Sequence, residues 1–523
     1  MEVRVIVFSA IGSADETSIA TVDHAANNET VKSFVVRIKL SYDANAEEST
    51  KCDYTRAEAC MTVALDIHPG RSKRYPAGPP FLQRFLSGRM FRQTAIESMS
   101  EAARVYGDLV HYTVFGRHIY QLNHPDLIED FLINDAAKHH RGIVMQRAKV
   151  VLGEGLLTSE EPLHMRQRRL AQPAFLRQRI AAYGEIIGHN ATAISQTWQS
   201  GAVRNLHDDM LELALRIVGK CLFGLDVQSH EEVKKISAAV DAFMGFLPLA
   251  ILPFSKQIQR LPLSAMKRIR KGQADLDAII YAMIDERRKS PGDRGDLLSM
   301  LLEAVDPEDP MASMSNQQVH DECVTIMLAG HETTANGLSF ALWLLAKHPD
   351  VQLRLHQEAS AVLGNRSPDA DDYSRLPYAT QVFSETLRLY PPVWVMARTC
   401  VQPYEIAGYT IPRGAILLAS QFVVHRDARF YPDPLRFDPE HFAPEKKEAA
   451  KARPRFAFFP FAAGSRQCIG EGLAWMEGVL SLATIARDWQ LSLPSGAPDE
   501  IAINPAISLR PKHGVPLLVE RRA

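Results

Sequence analysis

The sequence predicts a mainly α-helical protein with small β-sheets, and three observations support this fold class. Polar and apolar residues alternate in Leu109–Val114 and again in residues 118–122, with Gly116 between them, which predicts a β-hairpin. Helical periodicity of the apolar residues then dominates to about residue 390. Strand patterns return only in residues 404–420. There is no internal repeat and no low-complexity tract.

The composition is that of a soluble globular protein. Of 523 residues, 46% are hydrophobic, 23% charged and 8% aromatic, which excludes a disordered, collagen-like or coiled-coil chain. The 59 Lys and Arg residues nearly balance the 61 Asp and Glu residues, and the net charge is −2. Because nucleic-acid binders normally carry a basic excess, this balance argues against that class.

Cysteine usage and hydropathy predict a cytoplasmic protein. Six cysteines in so long a chain do not form a disulfide framework, and they fit a reducing compartment. No segment reaches the roughly 18 to 20 apolar residues that a membrane-spanning helix needs, so no transmembrane anchor is expected. The apolar run at residues 5–8 is short and lacks a positive n-region, so we do not interpret it as a signal peptide.

The chain is expected to have two parts. Residues 1–70 carry no motif, and we interpret them as an N-terminal extension that is either partly disordered or added by a start assigned upstream of Met61. The turn-rich residues 75–80 then mark the beginning of the folded body, which we expect to span residues 75–523.

A long apolar helical pattern at residues 317–347 contains polar side chains at its centre. Glu332, Thr333 and Thr334 lie there, and buried polar groups without partners cost a few kcal/mol each. Either these groups form an internal network that bends the helix, or Glu332 and Thr333 are a proton-delivery pair.

A second helix ends at two prolines. Glu385 and Arg388 are spaced i, i+3 on it, and Pro391 and Pro392 stop it. Such pairs are common on surface helices, so this one alone does not indicate a site.

The segment 460–470 contains a single cysteine, Cys468, with Gly464 before it and Gly470 after it. The apolar helical pattern of residues 473–486 follows directly. Glycines permit a tight loop, and both backbone amides and a helix N-terminus favour a thiolate. The alternative is a buried, inert cysteine.

The full spacing Phe-x-x-Gly-x-Arg-x-Cys-x-Gly resembles the haem-binding signature of the cytochrome P-450 family. Its fixed positions are Phe461, Gly464, Arg466, Cys468 and Gly470, and a chance match has odds of about one in ten thousand. The resemblance implies the cytochrome P-450 fold over residues 75–523 and a haem b whose iron Cys468 binds as axial thiolate. A thiolate ligand favours O–O cleavage. Phe461 would pack over the ligand loop, and Arg466 would pair with a haem propionate.

The central helix also resembles the family. Residues 329–334 match Ala/Gly-Gly-x-Asp/Glu-Thr-Thr, which implies that Glu332 and Thr333 deliver the protons for oxygen activation. Gly330 would leave room for dioxygen. Ala329 lies one turn before Thr333 and should face the same pocket.

Glu385 and Arg388 resemble a structural pair of the family that supports the cysteine loop. Relatives usually complete this pair with an arginine in Pro-Glu-Arg-Phe, whereas residues 439–442 here have His441 instead. Histidine can still donate to Glu385, but it is shorter and not always charged.

Further haem contacts are implied by position. His164 and Arg168 are spaced i, i+4 in a segment that resembles the family's early-helix pattern, and Arg398 follows the two prolines. All three would bind the haem propionates. For each residue taken alone, a solvated surface position is the alternative.

The substrate is expected to be an apolar small molecule, either a fatty acid or a terpenoid-like compound. By position in the family, residues 143–151, 243–253 and 393–396 line the pocket, and they are rich in aliphatic and aromatic residues. The same stretches could equally be ordinary core.

Electrons are expected from a separate partner, because the chain contains no glycine-rich dinucleotide site and no flavin domain. A ferredoxin or flavodoxin with an NAD(P)H-dependent reductase is the simplest donor. Before the cysteine loop lie five basic residues that either dock an acidic donor or form a solvated charge run: Lys446, Lys447, Lys451, Arg453 and Arg455.

The predicted function is therefore a haem-thiolate monooxygenase that uses O2 to hydroxylate or epoxidise its substrate. One alternative is a peroxide-driven or rearranging haem-thiolate enzyme, against which the intact Glu332–Thr333 pair argues. The other is a non-catalytic haem-binding or sensor protein.

Overall fold

The computed structural model describes three short strands of the N-terminal 74 residues and most of the remaining chain. The described residues are 3–7, 18–22, 38–41, 75–79, 94–114, 116–225, 264–306, 309–446 and 452–522. The chain divides into two compact units, Met1–Arg74 and Tyr75–Ala523. The prediction of a partly disordered extension at residues 1–70 falls largely outside the described residues.

The first unit contains one antiparallel sheet of three strands. In order across the sheet they are β1 (Val3–Val7), β2 (Ser18–Val22) and β3 (Ile38–Ser41).

The second unit is mainly helical, as the periodicity predicts. Its described α-helices are α1 (Ala95–Tyr106), α2 (Pro125–Glu129), α3 (Ile143–Leu152), α4 (Leu163–Ala171), α5 (Arg177–Gln196), α6 (Leu206–Phe223), α7 (Ser264–Lys289), α8 (Leu297–Glu303), α9 (Asn316–Lys347), α10 (Pro349–Leu363), α11 (Ala370–Tyr373), α12 (Pro377–Leu389), α13 (Gln421–Val424) and α14 (Glu471–Asp488). Not one of these described helices is both long and apolar enough to cross a membrane.

The strands of the second unit are short. They are β4 (Leu109–Val114), β5 (Arg117–Leu122), β6 (His139–Arg141), β7 (Ala202–Asn205), β8 (Val305–Asp306), β9 (Asp309–Ser313), β10 (Met396–Cys400), β11 (Tyr404–Ile406), β12 (Tyr409–Ile411), β13 (Ile416–Ala419), β14 (Trp489–Ser492), β15 (Ile503–Pro505), β16 (Leu509–Pro511) and β17 (Pro516–Arg521). The predicted hairpin is confirmed as β4 and β5, and the later strand region as β11 to β13. The prediction that strands occur only there is wrong, because segments as short as β7 become strands only by pairing with distant partners such as β17.

The main sheet has five strands in the order β4-β5-β13-β10-β6. β5 and β13 run parallel, and the other neighbours are antiparallel. In the pairing of β6 with β10, Arg141 lies directly opposite Arg398. Two arginines 257 positions apart in the sequence are thereby brought side by side.

Helix α9 is the centre of the helical core and packs against α6 and α14. It begins at a capping box, in which the Gln318 backbone N–H donates to Ser315 Oγ (3.2 Å) and the Ser315 N–H to Gln318 Oε1 (2.9 Å). From residue 319 to residue 346 every side chain is buried except those at 329, 330 and 333. The accessible positions are therefore confined to one short stretch in the middle of the helix.

Candidate functional site

The cysteine loop is a tight turn held by its own backbone. The Cys468 N–H donates to Phe461 O at 2.9 Å, and the Gln467 N–H donates to Gly464 O at 3.1 Å. Gly464 has φ +72°, and a Cβ there would lie 2.5 Å from Leu132 O. Because of both constraints, only glycine fits at position 464.

Cys468 is exposed to solvent. Desolvation by the neighbouring protein atoms raises the pKa of its thiol to about 11, and a hydrogen bond from the Gly470 backbone opposes this rise. The Gly470 hydrogen bond acts in the direction expected of the loop amides, toward the thiolate. A metal ion at the sulfur would supply the missing stabilisation, since a coordinated thiol is deprotonated.

Two side chains support the cysteine loop. The ring of Phe461 lies 5.5 Å from the ring of Trp475 on α14, measured between centroids. Arg168 of α4 donates from Nη1 to Gln467 O at 2.7 Å. Arg168 also lies close enough to Arg466 that its charge lowers the pKa of Arg466, after burial as the main cause.

Three arginines converge beside this loop. Burial, and then the neighbouring Arg466, lower the pKa of Arg398 to about 10. Burial followed by repulsion from Arg398 and Arg466 also lowers the pKa of Arg141. Arg466 Nη2 lies 3.2 Å from Glu160 Oε2 and 3.8 Å from Glu161 Oε1. Three guanidinium groups therefore face two carboxylates, and the cluster has an excess of positive charge.

His164 lies at the edge of this arginine cluster. Its side chain is buried, and Nδ1 lies 3.0 Å from Glu161 Oε1. Burial, followed by the charge of Arg466, lowers the pKa of His164 to about 4. The imidazole is therefore neutral near pH 7, and its one N–H, at Nδ1, donates to Glu161 Oε1.

Arg141 was missed by the sequence analysis. Its Nε is buried and has no hydrogen-bond partner among the described residues. A buried donor of this kind needs an acceptor, and the excess positive charge calls for an anion. Two carboxylates of one cofactor would meet both requirements, so the residues present fit a group with two propionates. No sequence motif marks Arg141, because only the pairing with β10 brings it to the site.

The accessible stretch of α9 consists of Ala329, Gly330 and Thr333. Thr333 Oγ1 donates to Ala329 O at 2.5 Å, one turn earlier. A Cβ at Gly330 would lie 2.6 Å from Val218 Cγ2, so the missing side chain allows α6 to approach α9. The expectation that Gly330 also leaves room for dioxygen stays a prediction.

Glu332 is buried and turns toward the C-terminal hairpin formed by β15 and β16. Its Oε1 accepts a hydrogen bond of 2.5 Å from Ser508 Oγ, and Arg510 Nη1 lies 4.0 Å from the same oxygen. Neither Ser508 nor Arg510 was identified in the sequence, because the hairpin lies more than 170 residues after the acid and carries no motif.

Glu385, Arg388 and His441 meet in one buried network. Arg388 donates two hydrogen bonds of 2.7 Å to Glu385, and His441 Nδ1 lies 3.2 Å from Glu385 Oε1. The Asp438 N–H also donates to Glu385 Oε1, at 2.9 Å. His441 thus occupies the position of the third member of the network.

The segments expected to line a substrate pocket are only partly described. Residues 143–151 form most of α3, whose described side chains are mainly half-buried. Val393 is 38% exposed, whereas Trp394 and Met396 are buried. Residues 243–253 lie outside the described residues.

The basic run is also only partly described. Arg453 packs over the ring of Tyr431 at 4.0 Å and donates to backbone carbonyls of Phe430 and His441, which is a structural role. Arg455 is exposed. The side chains of Lys446, Lys447 and Lys451 lie outside the described part of the chain.

Comparison with known proteins identifies the family. The family model for cytochrome P-450 matches residues 76–518. Cyclooctatin synthase of Streptomyces melanosporofaciens is 38% identical over 394 residues, covering 74% of this chain and 83% of that protein. Cyclooctat-9-en-7-ol 5-monooxygenase of the same organism is 37% identical over 388 residues, with coverage of 74% and 83%. Pentalenene oxygenase of Streptomyces avermitilis is 32% identical over 393 residues, with coverage of 75% and 86%.

The fold agrees with these similarities. The crystal structure of the cytochrome P450DA heme domain superimposes with a TM-score of 0.74 at 25% identity, and the match covers 86% of this chain and 98% of that one. The chain belongs to the cytochrome P-450 family. It is a monooxygenase whose cofactor is haem b, and its reaction requires O2, an apolar substrate and an electron donor.

Proposed function

We propose that this monooxygenase inserts one oxygen atom into an apolar, terpenoid-like molecule by hydroxylation or epoxidation. The overall reaction consumes O2, two electrons and two protons, and it releases the second oxygen atom as water. One observation carries the assignment of the site: the cysteine loop lies beside a largely buried cluster of three arginines with an excess of positive charge.

Haem b, when bound, supplies oxygen activation, and the protein residues supply ligation, orientation and proton control. Cys468 would bind the iron. Arg141, Arg398 and Arg466 would bind the propionates, and His164, whose one N–H faces Glu161, would lie beside them. The amide of Gly470 would stabilise the Cys468 sulfur. These assignments fit the donor types and charges at each position.

Proton delivery is assigned to Glu332 and Thr333. Thr333 is one of the three accessible positions in the buried stretch of α9, so its hydroxyl can reach a reacting molecule there. Glu332 is buried next to it, with Ser508 and Arg510 on its other side. A positioned acid can donate protons to developing negative charge, whereas the Thr333 hydroxyl can relay them.

The terpenoid-like class is favoured over a fatty acid by the names of two relatives. One acts on cyclooctat-9-en-7-ol and another on pentalenene, and both names denote unsaturated compounds. Among the described segments expected to line the pocket, Val393 offers exposed apolar surface and α3 is only partly buried. These features fit a substrate that is held mainly by apolar contacts.

Turnover with defined probes tests the substrate class. The haem-loaded protein is supplied with NADPH, a ferredoxin and its reductase, and separately with cyclooctat-9-en-7-ol, pentalenene and dodecanoic acid. We expect an oxygenated product from one of the two unsaturated probes and a slower reaction with dodecanoic acid. Product from dodecanoic acid alone would contradict the terpenoid-like class.

The electron donor is tested in the same assay. We expect product when either a ferredoxin or a flavodoxin is supplied as the donor. We expect no product in an assay that contains neither of them. Equal product from hydrogen peroxide without any donor would instead identify a peroxide-driven enzyme.

A further inference from the structure

The connection between β15 and β16, residues 506–508, is held rigidly against the rest of the protein. Trp394 Nε1 donates to Ala506 O at 2.9 Å, and the Leu509 N–H donates to Pro392 O at 2.8 Å. Both contacts involve the backbone of the hairpin. Any side chain at position 508 is therefore presented to α9 from a fixed direction.

Ser508 is the middle member of a buried hydrogen-bond chain. Asn336 Nδ2 donates to Ser508 Oγ at 3.1 Å, and Ser508 Oγ donates to Glu332 Oε1 at 2.5 Å. The three residues are 0%, 4% and 6% exposed, in that order. With its amide nitrogen facing Ser508, Asn336 donates to the hydroxyl oxygen, and the single Ser508 hydroxyl hydrogen is then given to the carboxyl group.

This direction decides which oxygen of Glu332 can carry a proton. Oε1 is occupied as the acceptor of the Ser508 hydrogen bond, so a proton on the carboxyl group resides on Oε2. A proton donor is effective only when the proton is placed correctly. The hydroxyl of Ser508 therefore sets the direction from which Glu332 gives up its proton.

The guanidinium group of Arg510 lies close to this carboxyl group. Arg510 Nη1 is 4.0 Å from Glu332 Oε1, and the Arg510 side chain is 37% exposed, so it reaches solvent. His207 of α6 lies near Arg510. Burial is the main cause that lowers the pKa of His207 to about 4, and the charge of Arg510 contributes. His207 is therefore neutral near pH 7, whereas Arg510 is a cation close to Oε1.

We propose that Ser508 is a positioning residue for proton delivery, because its hydrogen bond holds the Glu332 carboxyl group in one orientation with Oε2 as the proton-carrying oxygen. The inference rests on the proposed function of Glu332. It assigns a role in the reaction to a residue of the C-terminal hairpin, far from the acid in sequence.

The hydrogen bond itself is tested by infrared spectroscopy on the haem-loaded protein, without turnover. Spectra are recorded between about pH 5 and pH 9. The bands that disappear in the Glu332→Gln variant are assigned to the Glu332 carboxyl group. In Ser508→Ala these bands should shift, whether the group is protonated or ionised, because Oε1 loses its donor. Bands that stay unchanged in Ser508→Ala would overturn the proposal.

The functional consequence is tested by the fraction of NADPH electrons recovered in product, with cyclooctat-9-en-7-ol as the probe. Ser508→Ala should lower this fraction about 3- to 10-fold, and the lost electrons should appear as hydrogen peroxide, because a misplaced acid forfeits part of its contribution. Ser508→Thr keeps the hydroxyl group and should restore most of the loss. An unchanged fraction in Ser508→Ala, or no rescue by Ser508→Thr, would contradict the positioning role.

A matched control separates this effect from general damage to the fold. Ser384→Ala on α12 also removes a buried hydroxyl group, but that group donates to a backbone carbonyl, Thr380 O, at 2.7 Å. The Ser384→Ala variant should recover the same fraction of NADPH electrons in product as the wild type. If the wild type forms no product from cyclooctat-9-en-7-ol, pentalenene replaces it as the probe. If neither probe gives product, the proposed substrate class fails, whereas the infrared shift still decides the inference on Ser508.

Discussion

Arg388 donates two hydrogen bonds to Glu385, from Nε to Oε2 and from Nη2 to Oε1, each 2.7 Å long, and neither side chain is exposed. The same guanidinium group donates to the backbone carbonyls of His425, Pro434 and Arg436. One side chain therefore fixes helix α12 against a long irregular segment that precedes the cysteine loop. This contact joins the core of the protein to the part that carries Cys468.

Replacing either Glu385 or Arg388 should destabilise the protein strongly, because the charge of the remaining partner is then buried and unpaired. Arg388→Ala should lower the free energy of unfolding by about 3–5 kcal/mol and reduce haem retention. Urea unfolding and the haem-to-protein absorbance ratio measure the two effects. Lys271→Ala removes an exposed pair with Asp275 and should change little. Equal stability of the Arg388 and Lys271 variants would contradict this interpretation of the network.

His441 should support the same network through both of its ring nitrogens. Its Nδ1 lies 3.2 Å from Glu385 Oε1 and its Nε2 lies 3.0 Å from Pro432 O, and both of these oxygens are acceptors. His441→Ala should therefore cost about 1–3 kcal/mol in urea unfolding, because buried acceptors lose their partner. His441→Arg should retain more stability than His441→Ala. If the alanine variant is as stable as the wild type, His441 does not support the network.

The close approach of α6 and α9 predicts a specific suppressor. Gly330→Ala should lower the free energy of unfolding by about 1–3 kcal/mol through overpacking, because the new Cβ meets Val218 Cγ2 at 2.6 Å. Val218→Ala removes that methyl group and should recover part of the loss in the double variant. Gly337→Ala is the control on the same helix, since its nearest atoms lie at 3.5 Å. If the losses of unfolding free energy in Gly330→Ala and Val218→Ala simply add in the double variant, positions 330 and 218 are not in contact.

Glu322 should make stability depend on pH. Burial raises its pKa from 4.5 to about 8, against a hydrogen bond from the Leu156 N–H at 3.0 Å. Between these two values the folded state holds the additional proton, so stability should fall as pH rises, by up to about 1.4 kcal/mol per pH unit.

The variant Glu322→Gln cannot ionise, so its unfolding free energy should fall less between about pH 5 and pH 8 than that of the wild type. Urea unfolding at several pH values measures the difference. Glu286→Gln, at an exposed position, serves as the control and should follow the wild type. Parallel pH profiles of wild type and Glu322→Gln would show that Glu322 is not the group responsible.

Local pattern was sufficient for the long helices and for the cysteine loop. The apolar periodicity at residues 317–347 predicts helix α9 (Asn316–Lys347) to within one residue, because this helix is buried over nearly its whole length. The motif around Cys468 predicts the family, which the comparisons confirm. Both signals are carried by residues that are close together in the sequence.

The parts that could not be predicted depend on contacts between distant segments. Arg141 joins the arginine cluster only through the pairing of β6 with β10, and Ser508 reaches Glu332 only because a hairpin packs on α9. Neither position has a local pattern. The packing of Val218 beside Gly330 could not be predicted either, since the motif does not reveal this contact.

The most direct test of the account is the carbon monoxide difference spectrum of the dithionite-reduced protein, recorded for the wild type and for Cys468→Ala. A thiolate ligand donates electron density to the haem iron, so the wild type should give a strongly red-shifted Soret band that is absent in the variant. A wild-type band like that of a histidine-ligated haem, or the same red-shifted band in Cys468→Ala, would contradict the assignment of Cys468 as the axial ligand.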